Sequence, residues 1–331
     1  MKEILTTLFE HKTLTRDVAR EVLKNIAGGK YNNSEIAAFI SVYIMRNITV
    51  DELSGFRDAL LELCIPMDFS EYDTIDMCGT GGDGKDTFNI STIASFVVAG
   101  AGKKVAKHGN YGVSSSCGSS NVMEYLGYKF TGDAGKLRLQ IEKAGICFLH
   151  APLFNPAMKN VAPVRKELGI KTFFNMLGPM VNPSSPAKQM VGVFSLELAR
   201  LYNYLYQESG KSYFIVHNLD GYDEISLTDE FKIVGNDTEM IIAPDKIGFQ
   251  KIDPSKILGG KDVPESATIF MKVLKGEGTR EQNDVVIANA AVGLQCYHPY
   301  AALEECISMA RESLESKKAL DVFNQLMKLQ P

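Results

Sequence analysis

Glycines at positions 79, 81, 82 and 84, followed by Asn89, Ser91 and Thr92, are the residues of this chain best suited to chemistry. They follow an apolar stretch, Tyr72 to Cys78, and lead into the run Ile93-Ala94-Ser95-Phe96-Val97-Val98, which reads as a helix. Glycines let backbone N–H groups come close to an anion, and a helix N-terminus adds free donors and a favourable dipole. Asp83 has no place in a plain anion loop unless a cation or a sugar hydroxyl sits there too. The stretch therefore reads as a site for a phosphorylated ligand that carries a metal. Gly79, Gly84 and Lys85 match GxxxxGK of a P-loop, but Asp86 stands where a hydroxyl must reach Mg²⁺. That excludes a nucleoside-triphosphatase reading and leaves a flexible strand-to-helix connection as the plain alternative.

Three further groups could share the work. Lys107-His108-Gly109-Asn110 follows a short apolar run and opens the small-residue tract from Val113 to Asn121. The lysine offers a point charge to phosphate, the serines and loop amides offer neutral donors, and His108 and Asn110 could orient a planar polar substrate. Asp223-Glu224 lies at the exit of the apolar run Tyr213-Phe214-Ile215-Val216. With Asp83 it supplies three carboxylates, enough to hold a hard cation on a diphosphate. Arg165, in a helical pattern, could grip a carboxylate with its planar fork. Taken singly, each has a plain counterpart: a solvated turn, a surface acidic pair, a surface salt bridge. Cys117 beside His108 lacks a third group at a recognisable spacing, so it reads as a bystander thiol.

Residues 1–68 show helical periodicity with clear start signals: Thr15, Asn32 or Asn33, and a capping box of Thr49 with Glu52. Pro66 ends this all-helical part. From residue 72, short apolar runs at 72–78, 103–106, 146–149, 191–194, 212–217 and 267–273 alternate with helical patterns. That alternation predicts an α/β domain over 70–331, with a central, mostly parallel sheet flanked by helices. Ligands of such sheets gather at the carboxyl ends of the strands, where the 79–92 loop falls. The 331 residues suit about two domains, and 45% hydrophobic with 23% charged residues is ordinary for a globular chain. No apolar window is long enough to span a membrane, and Met1-Lys2-Glu3-Ile4-Leu5 has no apolar signal core. Six scattered cysteines without a CxxC pair fit reduced thiols in the cytoplasm, and a net charge of −5 argues against nucleic acid.

Taken together, the chain resembles the anthranilate phosphoribosyltransferases, the tryptophan-pathway branch of the nucleoside-phosphorylase-like phosphoribosyltransferases. The likeness rests on the helical opening, Gly79-Thr80-Gly81-Gly82-Asp83, Asn89-Ile90-Ser91-Thr92, Lys107-His108-Gly109-Asn110, Pro156-Ala157-Met158-Lys159, Asn175-Met176-Leu177-Gly178-Pro179, Asp223-Glu224 and Asn289-Ala290-Ala291. It implies that Gly79, Gly82, Asp83, Thr87, Asn89, Ser91, Thr92, Lys107 and Ser119 bind phosphoribosyl pyrophosphate. Asp223 and Glu224, with Ser91, would hold two Mg²⁺ ions. Gly79, His108, Asn110 and Arg165 would line the anthranilate site. It also implies a homodimer paired through a small helical domain, 1–68, which a returning segment near 160–185 joins, and no catalytic nucleophile or strong base.

The chain departs from that pattern at Tyr111, where the family commonly has Arg, and at Gly112, commonly Ala or Ser. It departs again at Ser119-Ser120-Asn121 (commonly Ser-Ala-Asp), at His150 (an aromatic) and at Asn155 (His). These positions cluster near the loop expected to shape the acceptor site. A pyrimidine nucleoside phosphorylase shares the architecture, but the Gly-Thr-Gly-Gly-Asp loop and the Arg165 context favour the transferase. A non-catalytic nucleic-acid-binding relative would carry a basic surface and damaged carboxylates, whereas this acidic chain keeps Asp83, Asp223 and Glu224.

Overall fold

A computed structural model describes residues 1–112 and 117–330. The chain divides into two compact units, Met1–Met67 with Ala151–Pro183, and Asp68–His150 with Ser184–Pro331.

The first unit is helical. Its helices Arg16–Ala27, Asn33–Met45 and Val50–Leu63 begin at Thr15, Asn32 and Thr49, whose side chains accept N–H bonds from the first turn; the last two are full capping boxes. The returning segment adds the short helices Ala162–Leu168 and Phe174–Leu177. Its Phe173 completes an aromatic core, stacking on Phe56 at 4.6 Å and meeting Phe39 and Tyr43 edge-on. Glu52 is fully buried there. Arg46 grips it through two nitrogens at 2.6 and 2.9 Å, and the Leu14 and Thr49 N–H groups donate to it at 3.0 Å. Burial alone would raise its pKa, but Arg46 and these amides hold it below the ordinary value.

The second unit is built on a seven-stranded sheet: β1 Thr74–Gly79, β2 Lys104–Gly109, β3 Ile146–His150, β4 Lys188–Gly192, β5 Ser212–Asn218, β6 Phe231–Gly235 and β7 Glu239–Ile242. The order is β3-β2-β1-β4-β5-β6-β7, parallel through β5, with β6 and β7 added antiparallel. Since β1 leads to β2 on one side while β4 lies on the other, strand order reverses between β1 and β4, the place where such sheets open a crevice. Helix Ile90–Gly100, buried along most of its length, packs among helices Arg280–Gln295 and Lys318–Lys328 over the sheet.

Two expectations need correction. The run 267–273 is not a strand but the middle of helix Val263–Leu274, which Asp262 caps by accepting the Glu265 N–H. Its buried residues Ser266, Ala267, Phe270, Val273 and Leu274 fall at helical spacing, and a short apolar run does not distinguish a strand from a buried helix. The β6–β7 hairpin, with Asn236-Asp237 at its turn, was not foreseen from sequence.

Candidate active site

β1 and β4 end side by side at Gly79↔Gly192, and Asp223 sits on both tips. A Cβ at Gly79 would stand 2.5 Å from Asp223 Oδ2, and one at Gly192 would stand 1.5 Å from the Asp223 carbonyl oxygen. Only glycine fits at either position. Past Gly79 the chain turns through Gly81, Gly82 and Gly84, all at positive φ of 70–79°. The turn brings the Gly81 N–H to Asp223 Oδ2 at 2.6 Å and the Thr80 hydroxyl to the same oxygen at 3.4 Å. The far arm of the loop is tied down where Gly259 N–H donates to the Asp86 carbonyl and Phe88 N–H to Ile257. The helix then starts at Ile90, four residues beyond Asp86, which confirms that this is no P-loop.

Glu224 takes the Ser91 N–H on Oε1 at 2.9 Å and the Thr87 hydroxyl on Oε2 at 3.4 Å. Asn289, buried in helix Arg280–Gln295, holds the next residue from both sides. It accepts the Ile225 N–H at 3.0 Å and donates to the Ile225 carbonyl at 2.8 Å. Sequence reading assigned Asn289 no role, and the distance of 64 residues to its partner explains why.

The carboxylates repel one another in a dry place. Burial first, then Asp83 and Glu224, push Asp223 well above the usual range, and Asp83 lies within hydrogen-bonding reach of it. Burial likewise pushes Glu224 up to about 7; the Ser91 N–H and the Lys107 charge oppose this, while Asp83 adds to it. Among the described residues, no three His, Cys, Asp or Glu side chains converge as a finished metal cage. The fit to a divalent cation is therefore electrostatic: buried Asp223 and half-buried Glu224 are faced by amides, hydroxyls and a third carboxylate, an arrangement that a cation would relieve.

On the neighbouring strand, Lys107 is fully buried and its ammonium donates to the Met77 carbonyl at 2.5 Å, not to the glycine loop. His108 is buried, and its N–H donates to Asp76 Oδ1 at 3.0 Å. Asn110 folds back, its side chain accepting the Tyr111 N–H and its carbonyl accepting from Ser119 Oγ and Ser120 N–H. Asn89 donates to the Cys117 carbonyl at 3.2 Å, linking the two loops. Thr92 packs inward with 1% exposure. Asn121 Oδ1 accepts both the Gly112 and Gly118 N–H groups at 3.0 Å, closing the base of the second loop. Residues Val113 to Ser116, counted above as neutral donors, lie outside the described residues.

The departures from the family pattern touch one another. His150 Nδ1 lies 2.9 Å from Ser120 Oγ, its ring stacks on Phe130 at 4.3 Å, and Tyr111 meets it edge-on at 4.8 Å. Burial, helped by His108, pushes His150 down to about 4, so it is neutral at physiological pH. Cys117 is buried and its thiol is pushed up, which disfavours a nucleophile there.

In the helical unit, Arg165 lies over the Phe174 ring at 5.4 Å and reaches Asn175 Oδ1 at 3.5 Å. Among the described residues no carboxylate pairs with it, and burial pushes its pKa down. It is a partly desolvated guanidinium without an anion, not the surface salt bridge that sequence alone allows.

Comparison with known proteins places this arrangement. The profile described as "Glycosyl transferase family, a/b domain" matches residues 71–320, and "Glycosyl transferase family, helical bundle domain" matches 2–64. The anthranilate phosphoribosyltransferase of Christiangramia forsetii is 59% identical over 329 residues, 99% of each chain, and that of Flavobacterium psychrophilum is 58% identical over the same span. Among solved structures, the Thermus thermophilus anthranilate phosphoribosyltransferase aligns at a TM-score of 0.91 and 31% identity, covering 98% of both chains. The Saccharomyces cerevisiae enzyme in complex with PRPP and Mg also reaches 0.91, at 26% identity over 98% of this chain and 96% of its own. With the sheet, the paired carboxylates and the glycine loop in place, and such identity over its whole length, the chain belongs to the anthranilate phosphoribosyltransferase family.

Proposed function

We propose that the protein transfers the phosphoribosyl group of phosphoribosyl pyrophosphate to the amine of anthranilate, giving N-(5-phosphoribosyl)anthranilate and pyrophosphate in tryptophan biosynthesis. The observation that carries this reading is the pair of buried Asp223 and half-buried Glu224 at the β1/β4 tips, each accepting a loop N–H. Gly79, Gly82, Asp83, Thr87, Asn89, Ser91, Thr92 and Ser119 bind the donor, and Lys107, its ammonium held on the Met77 carbonyl beneath the site, adds positive charge to it. Asp223 and Glu224, with Ser91, hold Mg²⁺, and we take the number of ions to be two. When bound, the metal neutralises charge on the pyrophosphate as it leaves.

The bond from C1 of the ribose to the pyrophosphate oxygen breaks, and its electrons leave with the oxygen. Positive charge develops at C1, and the anthranilate nitrogen attacks with its lone pair and then loses a proton. An aniline-type nitrogen is neutral at pH 7 and gives its proton to solvent after attack, so no strong protein base is needed; His150, pushed down to about 4 by burial, is too weak a base, and buried Cys117, its thiol pushed up, is a poor nucleophile. Loop amides preorganised toward the leaving group supply the electrostatic part of catalysis. His108, Asn110 and Gly79 line the acceptor side, and Arg165 offers its unpaired fork to the acceptor carboxylate.

The helical unit, 1–68 with the segment near 160–185, carries the exposed side chains Phe9, Ile44 and Met45, which suit a homodimer contact. Six free thiols suit the cytoplasm. No helix among the described residues is long and apolar enough to cross a membrane, and the acidic balance argues against a nucleic-acid partner.

The test is the loss of anthranilate fluorescence on adding phosphoribosyl pyrophosphate, with and without Mg²⁺. Rapid, Mg²⁺-dependent loss is expected. No loss, with donor binding still measurable by calorimetry, would assign the Tyr111–His150 region to a different amine or nucleobase.

A further inference from the structure

β2 is paired unevenly. Its register with β3 runs over five pairs, from Val105↔Ile146 to Gly109↔His150. With β1 it runs over only two, Thr74↔Lys104 and Ile75↔Val105. β1 meanwhile continues on its other edge with β4, out to Gly79↔Gly192. Past Ile75 side chains also join the two central strands. Asp76 Oδ1 accepts the His108 N–H at 3.0 Å, and Lys107 Nζ donates to the Met77 carbonyl at 2.5 Å.

A fully buried aspartate in the middle of a parallel sheet is an expensive way to join two strands. Its other oxygen lies 4.0 Å from the Cys78 thiol. An apolar residue at 76 would sit in the sheet without a buried carboxyl group. What the aspartate adds is position: an acceptor standing off the β1 backbone, reaching across the gap to the residue between Lys107 and Gly109. Burial pushes the Lys107 ammonium down, and Asp76 is among the groups that oppose this.

We propose that Asp76 is a positioning residue for the transfer reaction: by accepting the His108 N–H from across β1, it fixes the backbone of His108, and so the acceptor-side segment His108–Asn110, at the carboxyl end of β2. This rests on the phosphoribosyl-transfer reading above. Asp76 touches neither substrate in this scheme and acts through His108.

Two variants test it, each assayed for kcat and for both KM values, with His108 amide exchange followed by NMR as a readout independent of activity. Asp76→Asn keeps an acceptor oxygen; it should hold the anthranilate KM and kcat within about threefold of the parent and keep the His108 amide protected. Asp76→Ala removes the acceptor; it should raise the anthranilate KM about tenfold or more, with a smaller change in the donor KM, and speed His108 exchange. A folded Asp76→Ala with both KM values within twofold overturns the proposal. So does an Asp76→Asn that loses as much as the alanine variant. If Asp76→Ala does not fold, Asp76→Asn decides alone, near-parent kinetics supporting the proposal and a collapse overturning it. Parent enzyme without turnover, but with the exchange pattern above, would overturn the functional reading and leave the structural role of Asp76 standing.

Discussion

Two buried acidic sites in this chain use the same side chains to opposite ends. In the helical unit, Glu52 brings its own cation: Arg46 grips it, the Leu14 and Thr49 N–H groups and the Thr49 and Tyr43 hydroxyls donate to it, and its pKa falls. In the α/β unit, buried Asp223 and half-buried Glu224 face Asp83, amides and hydroxyls instead, and their pKa values rise. The first is complete without help and reads as architecture. The second is left with excess negative charge and reads as a receptor for a cation from solution. Arg165 is the mirror case, a partly buried cation with no anion among the described residues. Burial does not separate structural from functional charge; whether the fold supplies the counter-charge does.

That contrast can be broken in four places, taken from the largest expected effect downward. Glu224→Gln should cost about a hundredfold or more in kcat/KM and flatten the Mg²⁺ dependence; a normal Mg²⁺ titration would remove the metal assignment. Arg46→Ala should destabilise by about 3–5 kcal/mol, because it strands Glu52, yet leave the Mg²⁺ dependence of the folded fraction unchanged. Denaturant melts beside Mg²⁺ titrations check both halves, and a shifted Mg²⁺ midpoint would merge the two classes of site. Arg165→Ala should raise the anthranilate KM about tenfold or more while moving the donor KM far less; equal shifts would cancel its role.

The fourth effect is the smallest and concerns pH. Glu52 has a depressed pKa in the folded state. Its contribution to stability is therefore present above the unfolded glutamate value of about 4.3 and is lost as pH falls through the lower folded value. Thermal melts from neutral to acid pH should lose part of that acid limb in Glu52→Gln; an unchanged profile would show that Glu52 is not the group responsible.

The same distinction explains what could be read from the sequence. The glycine loop, the helix caps at Thr15, Asn32 and Thr49, and the adjacent acids were legible because their chemistry is local. The contacts of Asp76 and Asn289 were not, since their partners lie 32 and 64 residues away; the Asn289-Ala290-Ala291 motif carries the family likeness but does not reveal what Asn289 holds. The run 267–273 misled because its apolar residues are nearly continuous, and only the Asp262 cap before them marks a helix. The β6–β7 hairpin escaped because Lys232 breaks the apolar run of β6 and β7 is four residues long and mostly exposed. The sequence pointed to Lys107 as a phosphate ligand, but only the fold reveals that its ammonium rests on Met77.

The crowding of Gly79 and Gly192 against Asp223 has a consequence for how this chain can vary. Two strand tips and one functional side chain share a single tolerance, since a side chain at either tip enters space that Asp223 already fills. Drift in the sheet is thereby coupled to drift in the chemistry. In a library that randomises the ends of β1 and β4, survivors should keep both glycines or lose activity with them. At Gly81, by contrast, a Cβ would meet nothing within 4 Å, so only the backbone angle restricts it and asparagine is the substitution to expect first.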